Sequence, residues 1–173
     1  MYPKAYLDYL VHFHGDRDYF ECHEVLEEHW KEDPPGKRKA YWVGLIQLSV
    51  GLYHYRRENW NGAERMIKNA ISICSQEKDV LASLGLHPES LLELMRKTAL
   101  AIEQKRPYES ISLPVADEEL LKQAKSHCIE NGMTWGNPSN LADASLVHRH
   151  SARDRSDVIA ERNRSLLQKK KNR

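Results

Sequence analysis

One segment sets the architecture of this chain and reads Tyr41-Trp42-Val43-Gly44-Leu45-Ile46-Gln47-Leu48-Ser49-Val50-Gly51-Leu52-Tyr53. Drawn as a helix, it is apolar nearly all round, and such a helix belongs at the centre of a bundle. Gly44 and Gly51 share one face of it, and each costs roughly 1 kcal/mol relative to alanine in a helix. We therefore predict a central helix from about residue 37 to residue 57, closely approached by a neighbour at both glycines.

Amphipathic helices are predicted on both sides of the central helix. Apolar residues recur there at helical spacing, and Asp or Asn stands at several expected N-terminal caps. No stretch alternates apolar and polar residues for long, so no strand is predicted. The predicted fold is all-α: a compact antiparallel helical bundle with a central apolar helix and a C-terminal helical extension. The other helices are expected at about residues 3–13, 16–32, 59–74, 79–84, 88–102, 117–131 and 152–170.

A linker divides the predicted chain. The prolines at 107 and 114 favour an extended linker over a strand at residues 110–115. We predict a helical-bundle domain at residues 1–105 and a linker plus a basic helical extension at residues 106–173. Residues 149–173 hold nine Lys or Arg against three Asp or Glu, so the tail is basic and the rest of the chain is net acidic.

The best candidate site is the run His23-Glu24-Val25-Leu26-Glu27-Glu28-His29-Trp30. On a helix, His23, Glu27 and Trp30 share one face at i, i+4 and i+7. An imidazole and a carboxylate one turn apart can chelate a divalent metal ion or act as an acid–base pair. A buried hydrogen-bonded network without chemistry is the open alternative, and we expect His29 to be exposed.

The central helix offers two further ligands. Gln47 and His54 lie seven residues apart on one face, with Gly51 between them. The short break at residues 33–36 makes the two helices antiparallel neighbours, and Gly51 would leave room for a group from the His23 helix. The predicted metal ligands are therefore His23, Glu27, Gln47 and His54, for zinc, manganese or nickel.

Other classes of protein have no support in the sequence. The three cysteines include no C-x-x-C pair, so neither a disulfide framework nor a zinc ribbon is predicted, and Cys22 is interpreted as a small buried residue. No apolar run is long enough to span a bilayer and no signal peptide is evident, so we predict a cytoplasmic protein with no membrane contact. Phosphate-loop, dinucleotide-binding and E-x-x-H di-iron motifs do not occur.

Three sequence blocks resemble a known family. His23, Glu27 and Trp30 match the motif H-x-x-x-E-x-x-[WY], after the lead-in Asp18-Tyr19-Phe20-Glu21. Leu45-Ile46-Gln47-Leu48 with Tyr53-His54 resembles the second block, and Asn59 with Gly62-Ala63 the third. The chain thus resembles the domain of unknown function 309 family of bacterial and archaeal proteins, as a Bacillus-type member, over about residues 10–75. The resemblance implies a small helical bundle and metal binding through the motif, with no established reaction.

Two kinds of function follow as expectations. The first is a protein of unknown function that binds a divalent metal through His23 and Glu27. Its candidate reaction is a metal-dependent hydrolysis. The second is a non-catalytic helical scaffold or interaction module with a buried His–Glu network. Its basic tail would meet an acidic partner such as nucleic acid. Both functions are compatible with assembly into a homo-oligomer.

Overall fold

A computed structural model describes residues 1–149 of the chain. These residues contain no strand, and one isolated bridge joins Leu86 to Val115. The all-α prediction is confirmed. None of the described helices is long and apolar enough to cross a bilayer. Residues 1–149 form eight helices in order along the chain: α1 Lys4–His14, α2 Tyr19–Lys31, α3 Ala40–Arg56, α4 Trp60–Ser75, α5 Lys78–Ser83, α6 Pro88–Glu103, α7 Glu118–Glu130 and α8 Ala144–Val147.

Side-chain caps set the beginnings of five described helices, and in three of them, α2, α4 and α7, the cap is an Asp or Asn expected from the sequence. Asp18 accepts a hydrogen bond from the Glu21 amide at the start of α2, and Asn59 accepts one from the Gly62 amide at the start of α4. Asp117 caps α7 in the same way. Each cap satisfies an amide that has no partner inside its helix, which is why these boundaries were predictable from local sequence.

The central helix is α3, which packs against both α2 and α4. A methyl group at Gly44 would lie 2.8 Å from Cys74 Sγ, and one at Gly51 would lie 2.6 Å from Ile67 Cδ1. The predicted close approach at both glycines is confirmed. The idea that Gly51 leaves room for a group from α2 is wrong, because Ile67 of α4 fills that space.

Helices α2 and α3 run antiparallel, as predicted. The rings of Phe20 and Tyr53 lie 5.9 Å apart at one end, and those of His29 and Trp42 lie 5.2 Å apart at the other. The early part of α2 therefore faces the late part of α3. The expectation that His29 is exposed is wrong: its side chain is 25% exposed because it packs against Trp42.

Described residues of the segment after residue 105 pack on the bundle. Arg17, only 2% exposed, donates hydrogen bonds to the carbonyl oxygens of Ile111 and Asn137. Leu113, Leu120 and Ala124 belong to the same buried cluster as the bundle residues. A domain boundary at residue 105 stays a prediction, but the two parts share a core.

A fully buried histidine joins α1 to this later segment. His14 Nδ1 donates to the carbonyl oxygen of Leu10 at 2.8 Å, and His14 Nε2 accepts from the Leu113 amide at 2.9 Å. The ring also stacks on Trp135 at 3.9 Å. Both nitrogens are thus satisfied in the neutral ring. Burial is the main cause that lowers the pKa of His14 to about 3, with Arg17 contributing in the same direction.

The basic tail lies almost wholly beyond the described residues, as does the helix predicted at residues 152–170. Within the described part, Arg149 lies 3.4 Å from the carboxylate of Asp18. Binding of an acidic partner or nucleic acid through the tail stays a prediction, as do self-association and a cytoplasmic location.

Candidate functional site

A cavity of about 440 Å³ opens where the beginning of α2 faces the end of α3. Its size falls in the range of small-molecule sites. His23 of α2 and His54 of α3 both line it, so the structure brings two of the predicted site residues together. The lining residues are Tyr19, Phe20, His23, Val50, Tyr53, His54, Arg57 and Asn59.

His23 is held by the carboxylate one turn further along α2. Its Nε2 lies 2.6 Å from Glu27 Oε2, and Lys31 Nζ lies 2.9 Å from the other oxygen. The hydrogen bond from His23 is the largest cause that lowers the pKa of Glu27 to about 2, and Lys31 adds to it against the opposing effect of burial. Glu27 is therefore a carboxylate at neutral pH. The His23 and Glu27 side chains are 25% and 32% exposed, so the pair stands at the edge of the core.

This geometry defines the chemistry that His23 can perform. In the neutral ring, the bond to the Glu27 carboxylate places the proton on Nε2 and leaves a lone pair on Nδ1. An imidazole oriented in this way by a carboxylate can accept a proton from a bound molecule. Glu27 contacts His23 and does not line the cavity, so any effect of Glu27 on a bound molecule would pass through His23.

His54 is held by the side-chain amide of Asn59. Asn59 Oδ1 accepts from the Gly62 amide at 3.2 Å, which fixes the side-chain amide group of Asn59. Nδ2 lies 3.2 Å from His54 Nδ1 and donates to it. The cap of α4 therefore also orients the second imidazole of the cavity.

Three of the predicted site residues do not line the cavity: Glu27, Trp30 and Gln47. Trp30 packs against the core, and the guanidinium carbon of Arg38 lies 4.8 Å from its ring centroid. Gln47 does not line it either, although its Oε1 is buried without a hydrogen-bond partner.

The described residues do not fit a resident metal ion as they are arranged. Residues 1–149 contain no group of three or more His, Cys, Asp or Glu side chains that could hold one. The carboxylate of Glu27 is already shared by His23 and Lys31. The ligand set His23, Glu27, Gln47 and His54 therefore stays a prediction without support from the geometry.

Sequence reasoning missed the walls of the cavity. Tyr19 and Phe20 precede His23 by one turn, Tyr53 precedes His54 on α3, and Arg57 follows the last residue of that helix. Helical spacing from His23 and His54 could have identified Phe20 and Arg57, because residues three and four apart share a face.

Cys22 takes no part in the site. Its Sγ lies 3.4 Å from the carbonyl oxygen of Tyr9 in the core, and burial raises its pKa well above the usual value for a thiol. The side chain is fully buried, so the interpretation as a small core residue is confirmed.

Comparisons place these residues among known sequences. The sequence model of a family described as Domain of unknown function (DUF309) matches residues 6–66, which include every residue that lines the cavity. The chain is also similar to the Uncharacterized protein YpuF of Bacillus subtilis (strain 168). The two are 53% identical over 173 residues, which span 100% of this chain and 99% of that protein. No solved structure matches the chain.

Proposed function

The chain belongs to the DUF309 family, and we propose that it binds a small molecule in the cavity between α2 and α3. One observation carries this proposal: two imidazoles from different helices line the same cavity, and each is oriented by a separate partner. A small number of placed polar groups among aromatic walls is typical of ligand sites.

The alternative of a purely structural His–Glu network explains less. Such a network satisfies its polar groups against one another inside packed protein. Here His23 and His54 have separate partners, Glu27 and Asn59, and a space of about 440 Å³ lies beside both rings.

Filling the cavity should abolish binding. We expect Val50→Trp to remove binding of small aromatic compounds, because Val50 lines the cavity and the indole would occupy it. The measurement is ¹H–¹⁵N NMR with a set of such compounds of mixed charge. In the unmodified protein, shift changes should concentrate on the amides of His23, Val50 and Asn59.

Val43→Trp is the matched control for this experiment. Val43 is a half-buried valine on the same helix, seven residues earlier, and it does not line the cavity. It should bind the compounds as the unmodified protein does. Compounds that shift amides only elsewhere, or that bind Val50→Trp equally well, would show that the cavity is not a binding site.

The predicted divalent ion is a separate proposal, which rests on the sequence motif of His23, Glu27 and Trp30 rather than on the geometry of the described residues. Protein purified without a histidine tag would then carry stoichiometric zinc, manganese or nickel. Addition of the ion at 100 times its Kd would stabilise the fold by about 2.7 kcal/mol. His23→Gln combined with His54→Gln should remove that thermal shift. Protein without bound metal that shows no shift with any of the three ions would refute the proposal.

A further inference from the structure

The last described segment, residues 136–149, lies on the fold with little apolar burial, and we call it the strap. Only two of its residues, Leu146 and Val147, are buried, and neither belongs to the main buried cluster of the described residues. Segments with few buried apolar contacts open at a lower free energy than the core of a protein. We therefore expect the strap to detach locally while the bundle stays folded.

Backbone amides of the strap bond across to the rest of the fold. The Gly136 amide donates to the carbonyl oxygen of His14 at 2.8 Å. The Ser139 amide donates to Ser110 Oγ, also at 2.8 Å. Because both bonds would break when the strap detaches, hydrogen exchange at these two amides measures its attachment.

A buried arginine of α3 holds the middle of the strap. Arg56 Nη1 donates to Ser139 Oγ at 3.2 Å and to the carbonyl oxygen of Arg17 at 2.6 Å, and Nη2 donates to the carbonyl oxygen of Leu146 at 3.3 Å. The Arg56 side chain is only 6% exposed. Detachment of the strap would remove two of the three hydrogen-bond acceptors that the described residues give this buried cation, which opposes detachment.

Two paths of direct contact lead from the strap to Tyr19. In the first, the guanidinium carbon of Arg56 lies 4.6 Å from the centroid of the Tyr19 ring. In the second, Ser139 Oγ lies 2.8 Å from the Tyr108 hydroxyl, which is hydrogen-bonded to the Tyr19 hydroxyl. The strap thus contacts both groups that hold the Tyr19 side chain in place.

The end of the strap is attached beside the same residue. Arg149 lies 3.4 Å from Oδ2 of Asp18, whose Oδ1 accepts a hydrogen bond from the Glu21 amide. Asp18 directly precedes Tyr19, which lines the cavity between α2 and α3. Tyr19 therefore links the attachments of the strap to the wall of the cavity.

We propose that the strap regulates the cavity: the attached strap holds Tyr19 in the cavity wall, so attachment and binding of a small molecule strengthen each other. This inference rests on the proposed function and adds its regulation. Such coupling is reciprocal, so a bound molecule must favour attachment by the same factor by which the attached strap tightens binding.

Amide hydrogen exchange of the unmodified full chain tests the coupling. The probes are 2-naphthol, 2-naphthoate and 2-naphthylmethylamine, three aromatic compounds of different charge. At saturation with a compound that shifts the cavity amides, exchange at Gly136 and Ser139 should slow by about fivefold or more. The Met95 amide of α6 is the reference, because a core amide exchanges through global unfolding and slows with any ligand.

Each outcome of this measurement decides. Strap amides whose exchange is unchanged beside a bound compound would overturn the regulation and leave small-molecule binding intact. Strap amides that exchange as slowly as that of Met95 in the free protein would also overturn it, because the strap would then not detach separately. If none of the three compounds shifts the cavity amides, the proposed function fails, and the regulation fails with it.

Two leucines of the strap provide matched variants. Leu146→Ala should speed exchange at Gly136 and Ser139, because Leu146 is buried. It should also raise the Kd of the bound compound by about fivefold or more. Leu141→Ala, at a position that is 59% exposed, should change neither quantity. Faster strap exchange with an unchanged Kd in Leu146→Ala would refute the coupling. The measurement on the unmodified protein decides even if Leu146→Ala does not fold.

Discussion

Lowering the pH should destabilise this protein through one buried histidine. The pKa of His14 is about 3 in the folded chain, against 6.5 for an unperturbed histidine. Once the pH falls below 6.5, the His14 imidazole therefore binds a proton in the unfolded chain but not in the folded chain. We expect His14 alone to reduce the free energy of unfolding by about 1.4 kcal/mol per pH unit across the window from 6.5 down to 3.

The surroundings of the His14 ring explain why it stays neutral in the folded chain. A proton on His14 Nε2 would face the Leu113 amide, which is itself a donor at 2.9 Å, and would place a charge in the core beside Arg17. One hydrogen bond would become a repulsion between two donors. Above pH 6.5 both states hold the neutral ring, so the contribution is constant there.

His14→Gln is the variant that isolates this effect. Its amide can still accept a hydrogen bond near the Nε2 position but cannot be protonated in this range. Urea unfolding from pH 7 to pH 4 would be followed for both proteins. At pH 7 the variant should have a lower free energy of unfolding than the unmodified protein, and that free energy should fall less steeply as the pH is lowered. Both proteins contain the same carboxylates, so the contribution of these groups cancels in the difference between the two slopes. Equal slopes would mean that His14 does not carry the acid sensitivity.

Gly51→Val should lower the free energy of unfolding by about 2–3 kcal/mol, because it overpacks the contact between α3 and α4. Even a methyl group at this position lies 2.6 Å from Ile67 Cδ1, 2.8 Å from Ile67 Cγ1 and 3.3 Å from the Ile67 backbone nitrogen. The side chain of Ile67 is fully buried. Urea denaturation measures the loss.

A surface valine separates packing from helix propensity. Asn69→Val introduces the same residue at an exposed position of α4 and should change stability by less than about 0.5 kcal/mol. If Gly51→Val were as stable as this control, α4 could not lie as close to α3 as the structure places it.

Local signals in the sequence predicted most of the fold. Asp18, Asn59 and Asp117 cap their helices because a cap needs only neighbours within three residues. The two glycines of α3 predicted a close approach, but periodicity identifies a face and not the helix that covers it. That is why Ile67 of α4, and not a residue of α2, turned out to fill the space at Gly51.

Long-range contacts made through backbone carbonyls left no trace in the sequence. Arg17 binds the carbonyl oxygens of Ile111 and Asn137, and any residue type could supply those acceptors. The packing of residues after 105 on α1 was therefore not predictable from composition or spacing. The sequence pattern predicted a separate extension instead.

The candidate site was predictable in part. Antiparallel neighbours and helical spacing placed His23 and His54 together, as the cavity shows. Gln47 shares a face with His54, but seven residues of helix span about 10 Å along the axis, so a cavity at the end of α3 need not reach it. Two residues on a common face share an angular position around the helix axis. Ligands of one metal ion must also lie at similar positions along that axis.

Asn59 makes one amide group serve two purposes: its oxygen closes the first turn of α4 and its nitrogen fixes the His54 ring. The folding of that turn and the orientation of the His54 ring are therefore thermodynamically linked. A molecule that engages His54 would slow amide hydrogen exchange at Gly62, although it never touches that residue. Evolution cannot change this side chain for one purpose without disturbing the other.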